Sequence, residues 1–218
     1  WCMKKLILIL LLVPMASCSG GDNEINNCAD SELGVNCQDA DYIENSDSPY
    51  VLPWKTGKTF VMGQVNCKDG SHILGGQSQF AYDINMQIGT KIVAMRSGIV
   101  VEVIESFEDI EAGTAGIYDE TNIIRIRHPD GTRASYAHLT LNGALKNEGD
   151  SVVQGEIIAL SGNTGNTTGP HLHVQVTECE DISISCNSLP LTFKNTSEHC
   201  LGLLDFDNNP YGYKAEPY

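Results

Sequence analysis

The chain has 218 residues, of which 28 are acidic and 13 basic, for a net charge of −15. So acidic a surface argues against nucleic acid and anionic lipid headgroups as partners, because both are bound through cationic patches. The length suffices for one domain with a real core plus a tether.

Lys4 and Lys5 precede an apolar run, Leu6 to Val13, that is too short to span a bilayer. Small residues Ala16 and Ser17 then lead to Cys18. This order resembles a bacterial lipoprotein signal peptide over residues 1–17. The resemblance implies cleavage before Cys18, lipid attachment to its thiol, and an exported protein of the periplasm or cell envelope, in the outer membrane if Ser19 acts as the sorting residue. Met3 is the natural start, so Trp1 and Cys2 stay out of the fold reasoning. Residues 1–17 carry two basic and no acidic residues, leaving 11 against 28, a net −17 for the remaining 201 residues.

Residues 18–48 are rich in Asn, Asp, Ser and Gly and read as a flexible tether, with Cys28 and Cys37 placed to close a local loop in it. From about Tyr50, short apolar runs alternate with turn signals. Predicted strands are Thr59 to Val65, Phe80 to Ile84, Lys91 to Ala94, Gly98 to Ser106, Asn122 to Arg127, Arg133 to Leu139, Ser151 to Leu160 and His171 to Thr177. No stretch shows a long helical period. The expectation is a mainly β domain over 49–178, antiparallel, as a sandwich or partly open barrel.

A weak internal echo links Gly89-Thr90-Lys91-Ile92-Val93-Ala94 with Gly149-Asp150-Ser151-Val152-Val153, each read as a turn entering a β-hairpin. Duplication and the general grammar of hairpins both account for it. Beyond Cys2 and Cys18, six cysteines (Cys28, Cys37, Cys67, Cys179, Cys186 and Cys200) read as up to three disulfides, with the pairing open. No C-x-x-C pair supports a zinc knuckle.

The chemistry concentrates in few residues. His171 and His173 stand two apart at the start of a β-branched run, so a strand turns both to one face. Two imidazoles on one rigid strand suit a catalytic metal, where one binds the ion and the other handles protons. His138 lies at the end of an apolar run, and Asp83 is an acid inside an otherwise apolar strand. Such a carboxylate needs a partner, either a metal or a base.

In order, the motifs are Phe80-Ala81-Tyr82-Asp83, Gly89-Thr90-Lys91-Ile92-Val93-Ala94, Ser97-Gly98-Ile99-Val100, His128-Pro129-Asp130-Gly131, Tyr136-Ala137-His138-Leu139, Gly149-Asp150-Ser151-Val152, and Gly162-Asn163-Thr164-Gly165 leading to Gly169-Pro170-His171-Leu172-His173. Over roughly residues 58–178 the chain resembles the lysostaphin-type, LytM-like zinc endopeptidases of bacterial cell walls. The resemblance implies the LytM peptidase (duplicated hybrid motif) fold and one zinc ion. Asp83 and His173 inherit the metal; His138 and His171 inherit water activation and oxyanion stabilisation. The usual pattern puts a third ligand, a histidine, four residues before the aspartate, where this chain has Gln79. The chain is similar to a branch with a Ser-His segment further upstream, which makes His72 the third ligand. The competing expectation is a surface His72 and a crippled site.

Other residues take plainer readings: His128 in a turn, His199 beside Cys200, and Tyr136 either in the core or sharing the face of His138. Residues 179–218 read as a disulfide-stapled extension, with an added strand within Leu189 to Asn195 that the same branch implies. The function implied is zinc-dependent hydrolysis of peptide cross-links in peptidoglycan. A non-catalytic relative that binds wall or regulates another hydrolase is the alternative. A biotinyl- or lipoyl-type carrier hairpin ranks last, because no lysine lies between Ser151 and Ser161.

Overall fold

The computed structural model describes residues 37, 40–68, 70–111, 113, 116–117, 119–179, 186–196, 202–203, 207 and 209–218. The expected signal peptide and most of the tether, with Cys18, Cys28, His199 and Cys200, lie outside these residues. Among the described residues no helix is long and apolar enough to cross a membrane.

In chain order the strands are β1 (Thr59–Phe60), β2 (Met62–Gln64), β3 (Tyr82–Asn85), β4 (Lys91–Val93), β5 (Gly98–Ile104), β6 (Ile123–Arg127), β7 (Arg133–Ala137), β8 (Leu139–Ala144), β9 (Ser151–Val152), β10 (Ile157–Ser161), β11 (His171–Thr177) and β12 (Tyr213–Lys214). Every pairing is antiparallel. A seven-stranded sheet runs β2-β3-β11-β7-β6-β5-β9, a three-stranded sheet runs β4-β10-β8, and β1 pairs with β12. The architecture is the expected antiparallel β fold, without a closed barrel.

The main sheet is two-faced because its sequences alternate. On β11, Leu172, Val174 and Val176 are buried in the core while His171, His173 and Gln175 turn the other way. Ile124 and Ile126 of β6 and Tyr82 and Ile84 of β3 join the same core, against Ile92, Ile158 and Ala159 of the smaller sheet. Trp54, Leu52 and Phe193, from segments flanking the sheets in sequence, complete it. The polar face of the large sheet is left as the floor of a groove.

Several expected strands are differently cut. Ser151 to Leu160 divides into β9 and β10 at a turn where Gly155 adopts φ 81°, a left-handed conformation that glycine tolerates. The two echoed segments do not form hairpins. β4 pairs with β10 and β5 with β9, so each segment places consecutive strands in different sheets and the two segments interlock. Short-range grammar alone cannot distinguish this exchange from a hairpin. The expected strand within Leu189 to Asn195 reduces to one bridge, Ser188 to Thr177. The segment instead lies extended, with Leu191 and Phe193 buried and Asn195 Oδ1 accepting from Leu52 N at 2.8 Å.

Nor does a free tether reach residue 48. Ser48 Oγ donates to Thr192 O at 2.6 Å, and Thr192 Oγ1 donates to Ile43 O at 2.8 Å, so residues 43–48 are held against the extension. Cys37 pairs with Cys67 rather than closing a local loop with Cys28, and Cys179 pairs with Cys186.

Candidate metal centre and active site

Register brings the first two groups together. β11 pairs with β3 so that His173 stands directly opposite Asp83, and the His173 Nδ1–Asp83 Oδ1 distance is 2.8 Å. His72 arrives from outside the sheet, on a single 3-10 turn, Gly70–His72, in the loop between β2 and β3. It is fully buried, and its Nε2 lies 3.5 Å from Asp83 Oδ1. One ligand atom from each of His72, Asp83 and His173 falls within 4.8 Å of the others. The structure therefore brings His72 to the site and overturns the reading of it as a surface residue.

Gln79, at the position where the resemblance expects a ligand, is turned away. Its Oε1 accepts from Gly75 N at 2.7 Å, inside the loop that carries His72.

Two observations fit a divalent cation to this trio. Neither ring nitrogen of buried His72 makes a hydrogen bond, which is costly unless something else satisfies one of them. His173 Nε2 lies 3.2 Å from Gln175 Oε1, and that oxygen also accepts from Ser78 Oγ at 2.9 Å. A carbonyl oxygen only accepts, so it holds the proton on Nε2 and turns the Nδ1 lone pair toward a carboxylate. That juxtaposition is tolerable only with a proton or a cation between them. Two imidazoles and one carboxylate, with the remaining position open, are a donor set for catalytic zinc.

Electrostatics agree. Burial raises the Asp83 carboxyl, but the hydrogen bond from His173, the His72 ring 3.5 Å away and the charge of both outweigh it and hold it well below the usual carboxylate range. Burial lowers His173, but the hydrogen bond to Asp83 and its charge outweigh it and leave its pKa raised. Both shifts favour a charged carboxylate facing a protonated ring when no metal is bound.

His138 and His171 stand beside the trio, their ring centroids 4.4 Å apart. His171 Nε2 is 3.8 Å from Asp83 Oδ1. His138 Nδ1 donates to Thr164 O at 2.7 Å and His171 Nδ1 donates to Gly169 O at 2.8 Å. Because both acceptors are backbone carbonyls, each neutral ring keeps its proton on Nδ1 and its lone pair on Nε2. Thr167 Oγ1, 3.2 Å from His171 Nδ1, also bonds Asn163 Oδ1 and Gly169 O and so ties the His171 ring to the preceding loop.

His138 owes its orientation to backbone strain. It sits between β7 and β8 at φ 61°, a left-handed conformation unusual for a residue with a side chain. That twist breaks the two-residue alternation, so Tyr136 and His138 do not share a face. Tyr136 is buried in the core, where its hydroxyl accepts from Met95 N at 2.7 Å. Asn122 braces the bend: its Nδ2 donates to Leu139 O and Thr140 O, each at 3.2 Å. Close approach fixes the neighbouring glycine, since a Cβ at Gly162 would lie 2.2 Å from Thr140 N. His128 takes its plain role, bonding Ser97 O at 2.9 Å away from the site.

The centre opens on a groove of about 500 Å³ whose walls include Asp83, His138, His171, His173, Gln175 and Arg125. Sequence reasoning passed over Gln175, Thr167 and Asn122. Only Gln175 carried a signal, since it follows His173 by two on the same strand face.

Burial, with the neighbouring His171 and His173, pushes the His138 pKa down to about 3. In the metal-free protein its ring resonances should therefore not titrate between pH 8 and pH 4. A folded-state pKa below the unfolded value of about 6.5 gives stability that is complete above pH 6.5 and lost as pH falls toward 3. NMR titration of the ring protons checks this, and a midpoint near 6.5 would refute it.

An antiparallel β domain thus carries a His-Asp-His cluster able to hold a metal ion beside two further histidines. The family model described as peptidase family M23 matches residues 77–184, about half of the chain, and the chain belongs to that family. A Haemophilus influenzae protein described as an uncharacterised metalloprotease is 39% identical over 93 residues, covering 43% of this chain and 17% of that one. The glycyl-glycine endopeptidase ALE-1 of Staphylococcus capitis is 31% identical over 146 residues, covering 66% of this chain and 36% of that one. The matched region thus spans well under half the length of these relatives. The solved structure of pseudoalterin, an M23 metalloprotease from the deep sea, has the same fold, with TM-score 0.51 and 18% identity over 78% of this chain and 92% of that one.

Proposed function

We propose that this protein is a zinc-dependent endopeptidase that hydrolyses peptide cross-links of bacterial peptidoglycan, tethered to the cell envelope by a lipid on Cys18. The observation that carries the reading is the convergence of Asp83 and His173, backed by buried His72, with the imidazoles of His138 and His171 at one groove.

His72, Asp83 and His173 would hold the zinc. When bound, it supplies Lewis acidity at the scissile carbonyl and lowers the pKa of a water to about 7. His171, with its proton committed to Gly169 O, offers Nε2 to take a proton from the attacking water and pass it to the leaving amine. His138 offers the same nitrogen, held by Thr164 O, and its depressed pKa keeps it an acceptor. It therefore orients water, and it can donate to a developing oxyanion only after receiving a proton. The glycyl-glycine endopeptidase relative supports a peptide substrate. The presence of Gln79 does not favour a dead site, because His72 Nε2, 3.5 Å from Asp83 Oδ1, is available as a third donor.

The test is digestion of purified cell walls, with new amino groups counted. Release should occur, stop on adding a chelator, and return with zinc. Walls left intact by protein that holds one zinc per chain would overturn the reading.

A further inference from the structure

We propose that the Cys37–Cys67 disulfide and Gln79 are positioning elements for the metal: they lock the loop that delivers His72. The inference rests on the reading of His72 as a ligand. Asp83 and His173 need no such help, since a strand register fixes them. His72 has none. It comes from a 3-10 turn in a connection between β2 and β3 that includes Gly70, Gly75 and Gly76 and exposes Ile73 and Leu74. A segment with so little apolar burial does not order itself against its conformational entropy.

Closure is supplied at the two ends and across the middle. Cys67, five residues before His72, is bonded to Cys37, and both cysteines are buried. Cys67 N donates to Gln79 O at 2.8 Å, joining the loop's two ends through the backbone. The Gln79 side chain then reaches back, its Oε1 accepting from Gly75 N at 2.7 Å, and Gln79 N donates to Gly76 O at 3.1 Å. His72 lies inside the ring so formed. Fixing the ends lowers the loop-closure cost of presenting the ligand. The effect should appear as metal affinity, in the range of 10–100-fold that supporting residues around metal sites typically give.

The experiment measures zinc affinity by competition with a chromogenic chelator, on the full chain and without any activity assay. The double variant Cys37→Ser/Cys67→Ser should bind zinc about 10–100-fold more weakly than the parent. Cys179→Ser/Cys186→Ser removes a bridge that reaches the loop only through Ser188, which donates to Gln77 O at 2.7 Å and accepts from Phe80 N at 2.8 Å, and it should weaken binding less than Cys37→Ser/Cys67→Ser. Serine replacement is used rather than reduction, because free thiols themselves bind zinc. Gln79→Leu should weaken binding, and Gln79→Glu, which keeps the acceptor for Gly75 N, should restore it. This pair decides the matter if the cysteine variant does not fold. Parental affinity in both Cys37→Ser/Cys67→Ser and Gln79→Leu overturns the proposal, as does equal weakening by Gln79→Leu and Gln79→Glu. A parent that binds no zinc overturns the metalloenzyme reading itself, a separate outcome.

Discussion

Replacing Asp83 with alanine should abolish stoichiometric zinc binding and, with it, hydrolysis. Asp83 is the one carboxylate of the cluster, lying 2.8 Å from His173 and 3.5 Å from His72, and it supplies the negative charge that a divalent ion needs in a buried setting. Removing one partner of a buried charge pair costs about 3–5 kcal/mol, which corresponds to roughly 10²–10⁴-fold in affinity. His72→Ala removes a neutral ligand and should weaken binding less, though still measurably. Unchanged zinc content in Asp83→Ala would sink the assignment.

The same substitution has a signature without metal. Asp83 is held below its ordinary pKa, so it contributes stability that is present above about pH 3.9 and lost as pH falls through the depressed value. His173 is raised, so its contribution is complete below about pH 6.5 and lost as pH rises through the raised value. Between about pH 4 and 6.5 both operate, and the metal-free parent should gain most over Asp83→Ala there. Zinc reverses the dependence. Binding displaces the His173 proton, so affinity should climb with pH until that group is neutral in the free protein. Denaturation midpoints of the metal-free proteins at several pH values test the first half, and proton release on zinc addition tests the second.

Much of this centre was legible because strand periodicity is local. The run His171 to Thr177 alternates so regularly that strand, core face and site face all followed from it, and β11 has those bounds. Asp83 was readable for a related reason, since an acid in an apolar strand needs a partner. The failures share a different cause. Tyr136 was left between two faces because nothing in the sequence marks the left-handed backbone at His138 that interrupts the alternation. The echo at Gly89 and Gly149 resembled two hairpins, yet its strands exchange partners between sheets, and pairing of that range has no local signature. His72 lay in no periodic element at all. Only the resemblance pointed to it, and only tertiary contacts decided between a buried position beside Asp83 and a surface one. Gln79 is the converse, a position marked by a missing ligand that the structure uses to brace the loop.

Replacing His171 or His138 with alanine should leave one zinc per chain and lower kcat by about 10²–10⁴-fold, the span of general acid–base contributions. The separation from the Asp83 result follows from geometry. The trio is complete without either ring, and both rings are anchored elsewhere, His171 through Gly169 O and Thr167, His138 through Thr164 O. His171 should show the larger loss, because its Nε2 lies 3.8 Å from Asp83 Oδ1. With their rings 4.4 Å apart the two histidines serve the same water, so the double variant should cost far less than the product of the singles. Thr167→Val offers a graded check, since it removes the hydroxyl beside His171 Nδ1 but leaves Gly169 O, and a loss of only a fewfold is expected. Zinc analysis beside steady-state rates decides it: loss of metal from His171→Ala would make that residue a ligand instead, and a rate equal to the parent's would remove it from the chemistry.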